Sequence, residues 1–106
     1  MLIETLDQVD STNEEAKRRL EAGVEGVHWL RASLQTAGRG THGRAWDSPD
    51  GVGLYLTRYA RHEEPLSPDG LTPTVGIALA EAIRAATGVP VCVKPINDVV
   101  CDLSCL

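Results

Sequence analysis

Apolar side chains recur at two spacings along this chain, and the change between them marks its elements. Leu2, Ile3, Leu6 and Val9 make a short, imperfectly alternating run that predicts a strand over residues 2–9, broken by Asp10-Ser11-Thr12-Asn13. Ala16 and Leu20 then lie four apart, on one face of a helix predicted from Thr12 to about Ala22, with Lys17, Arg18 and Arg19 turned to solvent. Ser11 with Glu14, and Thr12 with Glu15, fit the capping box, in which a hydroxyl and an acid three residues on cover free backbone N–H groups. Gly23 ends this helix as its C′ residue.

Val27, Trp29, Leu30, Ala32 and Leu34 predict a second strand over residues 27–34. Residues 52–59 set Val52, Leu54 and Leu56 against Tyr55, Thr57 and Tyr59, which predicts a third strand with its even positions on the core face. Asp47-Ser48-Pro49-Asp50-Gly51 before it carries turn chemistry. A polar, proline-containing connection over residues 61–69 leads to a second helix, with Thr72 as N-cap, Pro73 at N1, and Gly88 with Pro90 at its end. Val75, Leu79, Ala82, Ile83 and Ala86 are its expected buried stripe, while Gly76, Ala78, Ala80 and Ala85 leave room for a sheet to approach. Residues 89–93 read as a short strand, 94–98 as a turn and 99–106 as a further strand.

The second and third strands flank Gln35-Thr36-Ala37-Gly38-Arg39-Gly40-Thr41-His42-Gly43-Arg44-Ala45-Trp46. Such an order hangs the loop from one end of an antiparallel pair. Glycine lets backbone N–H groups come close to a ligand. Arginine presents a planar, permanently charged fork to carboxylate or phosphate. A loop with both is suited to an anion, or to two anions that repel each other, and Trp46 offers an apolar wall or a stacking face. The alternative is a surface loop whose charge is incidental. Ser11-Thr12-Asn13 likewise reads first as a helix cap, a role compatible with ligand contact because a helix N-terminus presents free N–H groups.

The chain has 106 residues, enough for one small domain, and lacks Phe, so its core must come from Leu, Val, Ile and Ala. A net charge of −5 argues against a general polyanion binder. Residues 1–25 hold seven acids against three bases, whereas residues 26–46 hold three arginines and no acid. The positive field is therefore local to the loop and suits a small anionic ligand. Cys92, Cys101 and Cys105 show no paired spacing for a disulfide framework or zinc site, and reduced thiols in a cytoplasmic protein are the expectation. The acidic start is unlike a signal peptide, and nothing approaches a membrane span.

Ser11-Thr12-Asn13, the run from Gln35 to Trp46, Ser48-Pro49, Gly53-Leu54-Tyr55 and Lys94 with Asn97-Asp98 resemble, in order and spacing, the biotin protein ligases. The resemblance implies an α/β fold with a mixed, largely antiparallel sheet and helices packed against it, related to class II aminoacyl-tRNA synthetases and lipoate ligases. It implies that biotin and ATP give biotinyl-5′-adenylate, whose biotinyl group passes to a lysine of a carboxylase carrier domain. By resemblance, Ser11, Thr12, Asn13 and Gln35 bond the biotin ring system. Gly38, Arg39, Gly40 and Thr41 line its carboxylate and the phosphate. Arg39 and Arg44 screen the two negative partners during reaction, and Trp46 packs against the nucleotide. Lys94, Asn97 and Asp98 lie near the adenylate, with Asp98 assisting Mg²⁺ or the incoming lysine. Magnesium then enters on ATP phosphates, without a protein cage.

Three departures from the family pattern stand out. Thr41 occupies a position where many members have Arg, so leakage of the adenylate is expected. Lys94-Pro95-Ile96-Asn97-Asp98 replaces Lys-Trp-Pro-Asn-Asp, and the shifted proline changes the aim of Asn97 and Asp98. The family's later lysine segment, further strands and small barrel domain have no counterpart, nor has an N-terminal winged helix. The expectation is the N-terminal portion of a catalytic domain, with low activity alone, no nucleic-acid binding, and self-association through an exposed sheet edge. The alternatives are a non-catalytic remnant that at most binds biotin or its adenylate, and a lipoate-type relative.

Overall fold

The computed structural model describes residues 2–40, 43–62, 67–94 and 98–101. The chain divides into two compact units, Met1–His62 and Glu63–Leu106. The first contains β1 (Ile3–Val9), α1 (Thr12–Glu21), β2 (Val27–Gln35) and β3 (Tyr55–Ala60). Its sheet has the order β1-β2-β3, with β1 parallel to β2 and β3 antiparallel to it. Parallel neighbours need a crossover, and α1 supplies it. The second unit contains α2 (Pro68–Thr87) and an antiparallel hairpin of β4 (Val91–Lys94) with β5 (Asp98–Cys101). This is the mixed, largely antiparallel α/β class expected.

Local sequence explains the ends of α1. Ser11 is extended, and its Oγ accepts from the Glu14 N–H at 3.4 Å. At the other end Gly23 takes a φ of 92°. Its N–H reaches the Leu20 carbonyl, and the next N–H, of Val24, reaches that of Arg19. That pair of bonds is the Schellman motif, which needs a residue free to adopt positive φ. Ala16 and Leu20 then turn to the sheet, where Ala16, Leu30 and Tyr59 form a buried cluster with Leu6, Leu20 and Val24 around it.

Several expectations fail for physical reasons. The core parity of β3 is reversed: Leu30 pairs with Thr57 and His28 with Tyr59, which places the odd positions beneath α1. Val52 and Leu54 precede the strand and are exposed. Arg19 does not face solvent freely. It bridges Glu4 on β1 and Glu15 on its own helix, and its stem is three-quarters covered. Helix α2 begins a turn earlier than Thr72, with Ser67 as N-cap and Pro68 at N1, so Pro73 lies inside it.

The expected stripe of α2 is also largely uncovered. Val75 and Leu79 are about half exposed, as are Ile77 and Leu71. Among the described residues of its unit the helix packs on a two-stranded hairpin, and it does so through small residues. Ala80 is fully buried, and a Cβ on Gly76 would stand 3.5 Å from Val93 Cγ1. The close approach expected at Gly76 and Ala80 is therefore present, while the larger side chains beside them lack a neighbour among the described residues. Cys101 is a free, exposed thiol, but Cys92 is disulfide-bonded, against the reduced thiols expected.

Candidate functional site

The site in the first unit is built where the N-terminus of α1, the end of β2 and the loop after it converge. Gln35, the last residue of β2, ties them together. Its Oε1 accepts from the Thr12 backbone N–H at 2.8 Å and lies 3.2 Å from Thr12 Oγ1. Its Nε2 donates to Ser48 Oγ at 3.2 Å, and Ser48 Oγ donates onward to the Trp46 carbonyl. A single carboxamide thus spends both ends on fixing two segments.

The loop folds back on itself as an extension of the sheet. Gln35 faces Ser48 and Arg39 faces Ala45 in two isolated bridges. Trp46 N–H donates to the Gly38 carbonyl at 2.7 Å, and Gly40 N–H to that of Arg44 at 2.7 Å. Gly38 is buried in this crossing: a Cβ there would stand 2.6 Å from Ser48 Oγ and 2.7 Å from the Trp46 carbonyl oxygen. Only glycine permits that approach. The Thr36 and Ala37 N–H groups donate to the carbonyls of Val9 and Asp10, so the root of the loop is also tied to the end of β1.

An open cleft of about 490 Å³ lies beside this crossing, lined by Ser11, Asn13, Lys17, Arg39, Gly40 and Thr57 among others. Thr12 is buried behind it. Thr12 Oγ1 lies 2.8 Å from Thr57 Oγ1, which donates to Asn13 Oδ1 at 2.5 Å. The Trp46 indole sits against Gly40 and is 65% exposed.

Charge is distributed unevenly around the cleft. Arg18 is held by Asp10 and Glu15, and Arg19 by Glu4 and Glu15. These hydrogen bonds raise both guanidinium pKa values. The Arg18 guanidinium brings the Asp10 carboxyl down to about 2, helped by the Ser11 N–H, and Arg19 lowers Glu4 and, with Arg18, Glu15. Arg39 and Arg44, by contrast, have no ion-pair partner among the described residues. Both are exposed, and Arg39 borders the cleft. The arginines of the helix are neutralised and those of the loop remain available to an anion.

The structure therefore brings together Ser11, Thr12, Asn13, Gln35, Gly38, Arg39 and Gly40, with Arg44 and Trp46 on the returning arm. Lys94 and Asp98 pair at the end of the β4–β5 hairpin where the two strands are joined, in the second unit, both exposed. Thr41, His42 and Asn97 lie outside the described residues. Two contributors carried no functional signal in the sequence: Thr57, whose hydroxyl joins Thr12 to Asn13, and Ser48, which anchors Gln35. A threonine at an alternate position of a strand gives no such signal until its register is known. Among the described residues there is no group of three or more His, Cys, Asp or Glu able to hold a metal ion, and no helix is long and apolar enough to cross a membrane.

The model of the biotin/lipoate A/B protein ligase family matches residues 5–104, and the chain belongs to that family. It is 39% identical over 97 residues to the bifunctional ligase/repressor BirA of Salmonella typhimurium and 38% identical over 97 residues to that of Escherichia coli. Each alignment covers 91% of this chain and 30% of the relative. Among solved structures, the biotin protein ligase from Aquifex aeolicus in complex with biotin and ATP superposes with a TM-score of 0.79 at 36% identity, over 92% of this chain and 40% of that one. The biotin protein ligase from Leishmania major in complex with biotinyl-5-AMP gives a TM-score of 0.72 at 32% identity, over 92% and 46%. The chain thus spans less than half the length of each.

Proposed function

We propose that this chain forms the biotin- and adenylate-handling part of a biotin protein ligase, a cytoplasmic enzyme that makes biotinyl-5′-AMP from biotin and ATP. The biotinyl group then passes to a lysine of a biotin carboxyl carrier domain. The observation that carries the reading is the Arg39 guanidinium, without an ion-pair partner among the described residues, at the border of a cleft also lined by Ser11, Asn13 and Thr57. In the first step a biotin carboxylate oxygen bonds to the α-phosphorus as the bond to pyrophosphate breaks. Both reactants are anionic, so their approach is opposed by charge. Arg39, with Arg44 beside it, offsets that repulsion and holds the pair in line. Ser11, Thr12, Asn13 and Gln35 fix the ring system, Gly38, Gly40 and Thr41 let the loop close over carboxylate and phosphate, and Trp46 packs against the nucleotide.

Lys94, Asn97 and Asp98 complete the adenylate side in this reading, with Asp98 assisting the incoming lysine. In this reading Mg²⁺ arrives on ATP phosphates, without a protein cage. In the second step the lysine amine attacks the carbonyl carbon of the mixed anhydride, forms the amide and expels AMP.

The reading extends to domain boundaries: these residues are the N-terminal portion of a catalytic domain. Because the chain spans 30% of its BirA relatives, a second reading has support, in which it binds biotin or its adenylate without turnover. Biotin-dependent exchange of labelled pyrophosphate into ATP separates the two. Slow exchange above the biotin-free background supports catalysis, and binding without exchange supports the second reading. Binding of lipoate in preference to biotin overturns the choice of acid.

A further inference from the structure

The cleft floor contains a row of hydroxyls hydrogen-bonded in series, and the bond from Thr57 to Asn13 sets its direction. Each threonine hydroxyl has one proton to give. Thr57 gives its proton to Asn13 Oδ1. In the 2.8 Å contact between Thr12 Oγ1 and Thr57 Oγ1, Thr12 must then be the donor. Gln35 Oε1 keeps its principal donor in the Thr12 backbone N–H, so the longer contact from Thr12 Oγ1 is secondary. The row runs one way, from Thr12 through Thr57 to the carboxamide oxygen of Asn13.

This order decides what Asn13 can offer. Its oxygen is engaged by Thr57, while its Nδ2 has no hydrogen-bond partner among the described residues. Asn13 borders the cleft, as does Thr57. Thr57 itself is held from two sides, by the β2–β3 register opposite Leu30 and by the buried Thr12. We infer that Thr57 is a positioning residue of this cleft: it orients Asn13 so that the site presents an N–H donor, and so selects a ligand with a neutral carbonyl acceptor at that point. A ring ureido or amide oxygen has that chemistry; an anionic oxygen is served instead by Arg39. The inference deepens the reading of the cleft as a biotin site and rests on it for the identity of the ligand.

The test uses the full chain, isotope-labelled with ¹⁵N, and three variants. Thr57→Val keeps the shape and removes the hydroxyl, Thr57→Ala does the same if the valine variant does not fold, and Thr57→Ser keeps the hydroxyl. Without ligand, the Asn13 carboxamide and Thr12 amide resonances should move in Thr57→Val and return towards their native positions in Thr57→Ser. On titration, biotin should bind about tenfold more weakly to Thr57→Val, as expected for loss of a hydrogen-bonded donor, and within about twofold of native to Thr57→Ser. Unchanged ligand-free resonances in the valine variant, or equal weakening in valine and serine, would overturn the inference. If the ligand-free resonances respond as expected but biotin perturbs no resonance of the native chain, the orienting role of Thr57 stands and the biotin reading falls.

Discussion

The Thr12 backbone N–H donates to Gln35 Oε1 at 2.8 Å, a bond between the first turn of α1 and the end of β2 across 23 positions of sequence. It satisfies one of the N–H groups that every helix start leaves open. The site and the fold are therefore stabilised by the same atoms.

Replacing Gln35 by Leu removes this acceptor and the donor to Ser48 together, and leaves the fully buried Ser48 hydroxyl short of a partner. The expected cost is about 1–3 kcal/mol in unfolding free energy. Gln35→Glu, which retains the acceptor for Thr12, should cost less. Denaturant unfolding of the two variants measures the difference, and equal losses would show that the Thr12 bond contributes nothing.

Gly38 and Gly70 should respond oppositely to the same substitution. A methyl at Gly38 meets Ser48 Oγ and the Trp46 carbonyl well inside contact distance, and at Gly70 it meets open space in the first turns of α2. Gly38→Ala should destabilise by about 1–3 kcal/mol through overpacking. Gly70→Ala should stabilise by about 0.5–1 kcal/mol, because alanine loses less backbone freedom in a helix. Thermal unfolding of both variants provides the comparison.

Acid should destabilise the first unit as pH falls below the ordinary carboxylate range. Asp10 titrates at about 2 when folded, against an ordinary aspartate value of 3.8, because Arg18 and the Ser11 N–H hold its charged form. A folded pKa below the unfolded one adds stability above the unfolded value and loses it as pH falls through the folded value. Glu4 and Glu15 are lowered in the same sense by Arg19 and Arg18. Stability should therefore decline from about pH 4.5 downwards, with the Asp10 share lost between about 4 and 2. Asp10→Asn should flatten that part of the pH profile. A variant with an unchanged profile would assign the acid sensitivity elsewhere.

The uncovered apolar residues of α2 should drive association. Leu71, Val75 and Leu79 recur every fourth position on one side of the helix and line a small groove with Val99. Sedimentation velocity should show mass rising with concentration, and Val75→Lys with Leu79→Lys should suppress the rise. A monomer at all concentrations would contradict this. So would association unchanged in the double variant, which would leave the sheet edge as its cause.

Much of the first unit was legible because its signals are local. Ser11, Gly23 and the four-residue step from Ala16 to Leu20 set α1 without help from tertiary structure, and the family motif located the loop. What was not legible depended on pairing. Leu54 and Leu56 suggested the core face of β3, yet the register with β2 set Thr57 and Tyr59 there instead, and a one-residue slip exchanges the faces. Thr72-Pro73 and Ser67-Pro68 carry the same start signal for α2, and spacing alone does not choose between them. The roles of Thr57 and Ser48 were hidden for the same reason: each acts through a partner distant in sequence.

Retention of an acyl-adenylate in the cleft of the first unit should depend on the unpaired guanidinium of Arg39 above any other single charge. Calorimetric titration with a non-hydrolysable analogue of biotinyl-5′-AMP tests this most directly, with Arg58→Ala as the control for loss of one exposed positive charge that is unpaired among the described residues. The native chain should bind saturably, Arg39→Ala should bind about 10- to 100-fold more weakly, and Arg58→Ala should stay within about twofold of native. No heat of binding to the native chain, or equal losses in the two variants, would contradict that role for Arg39.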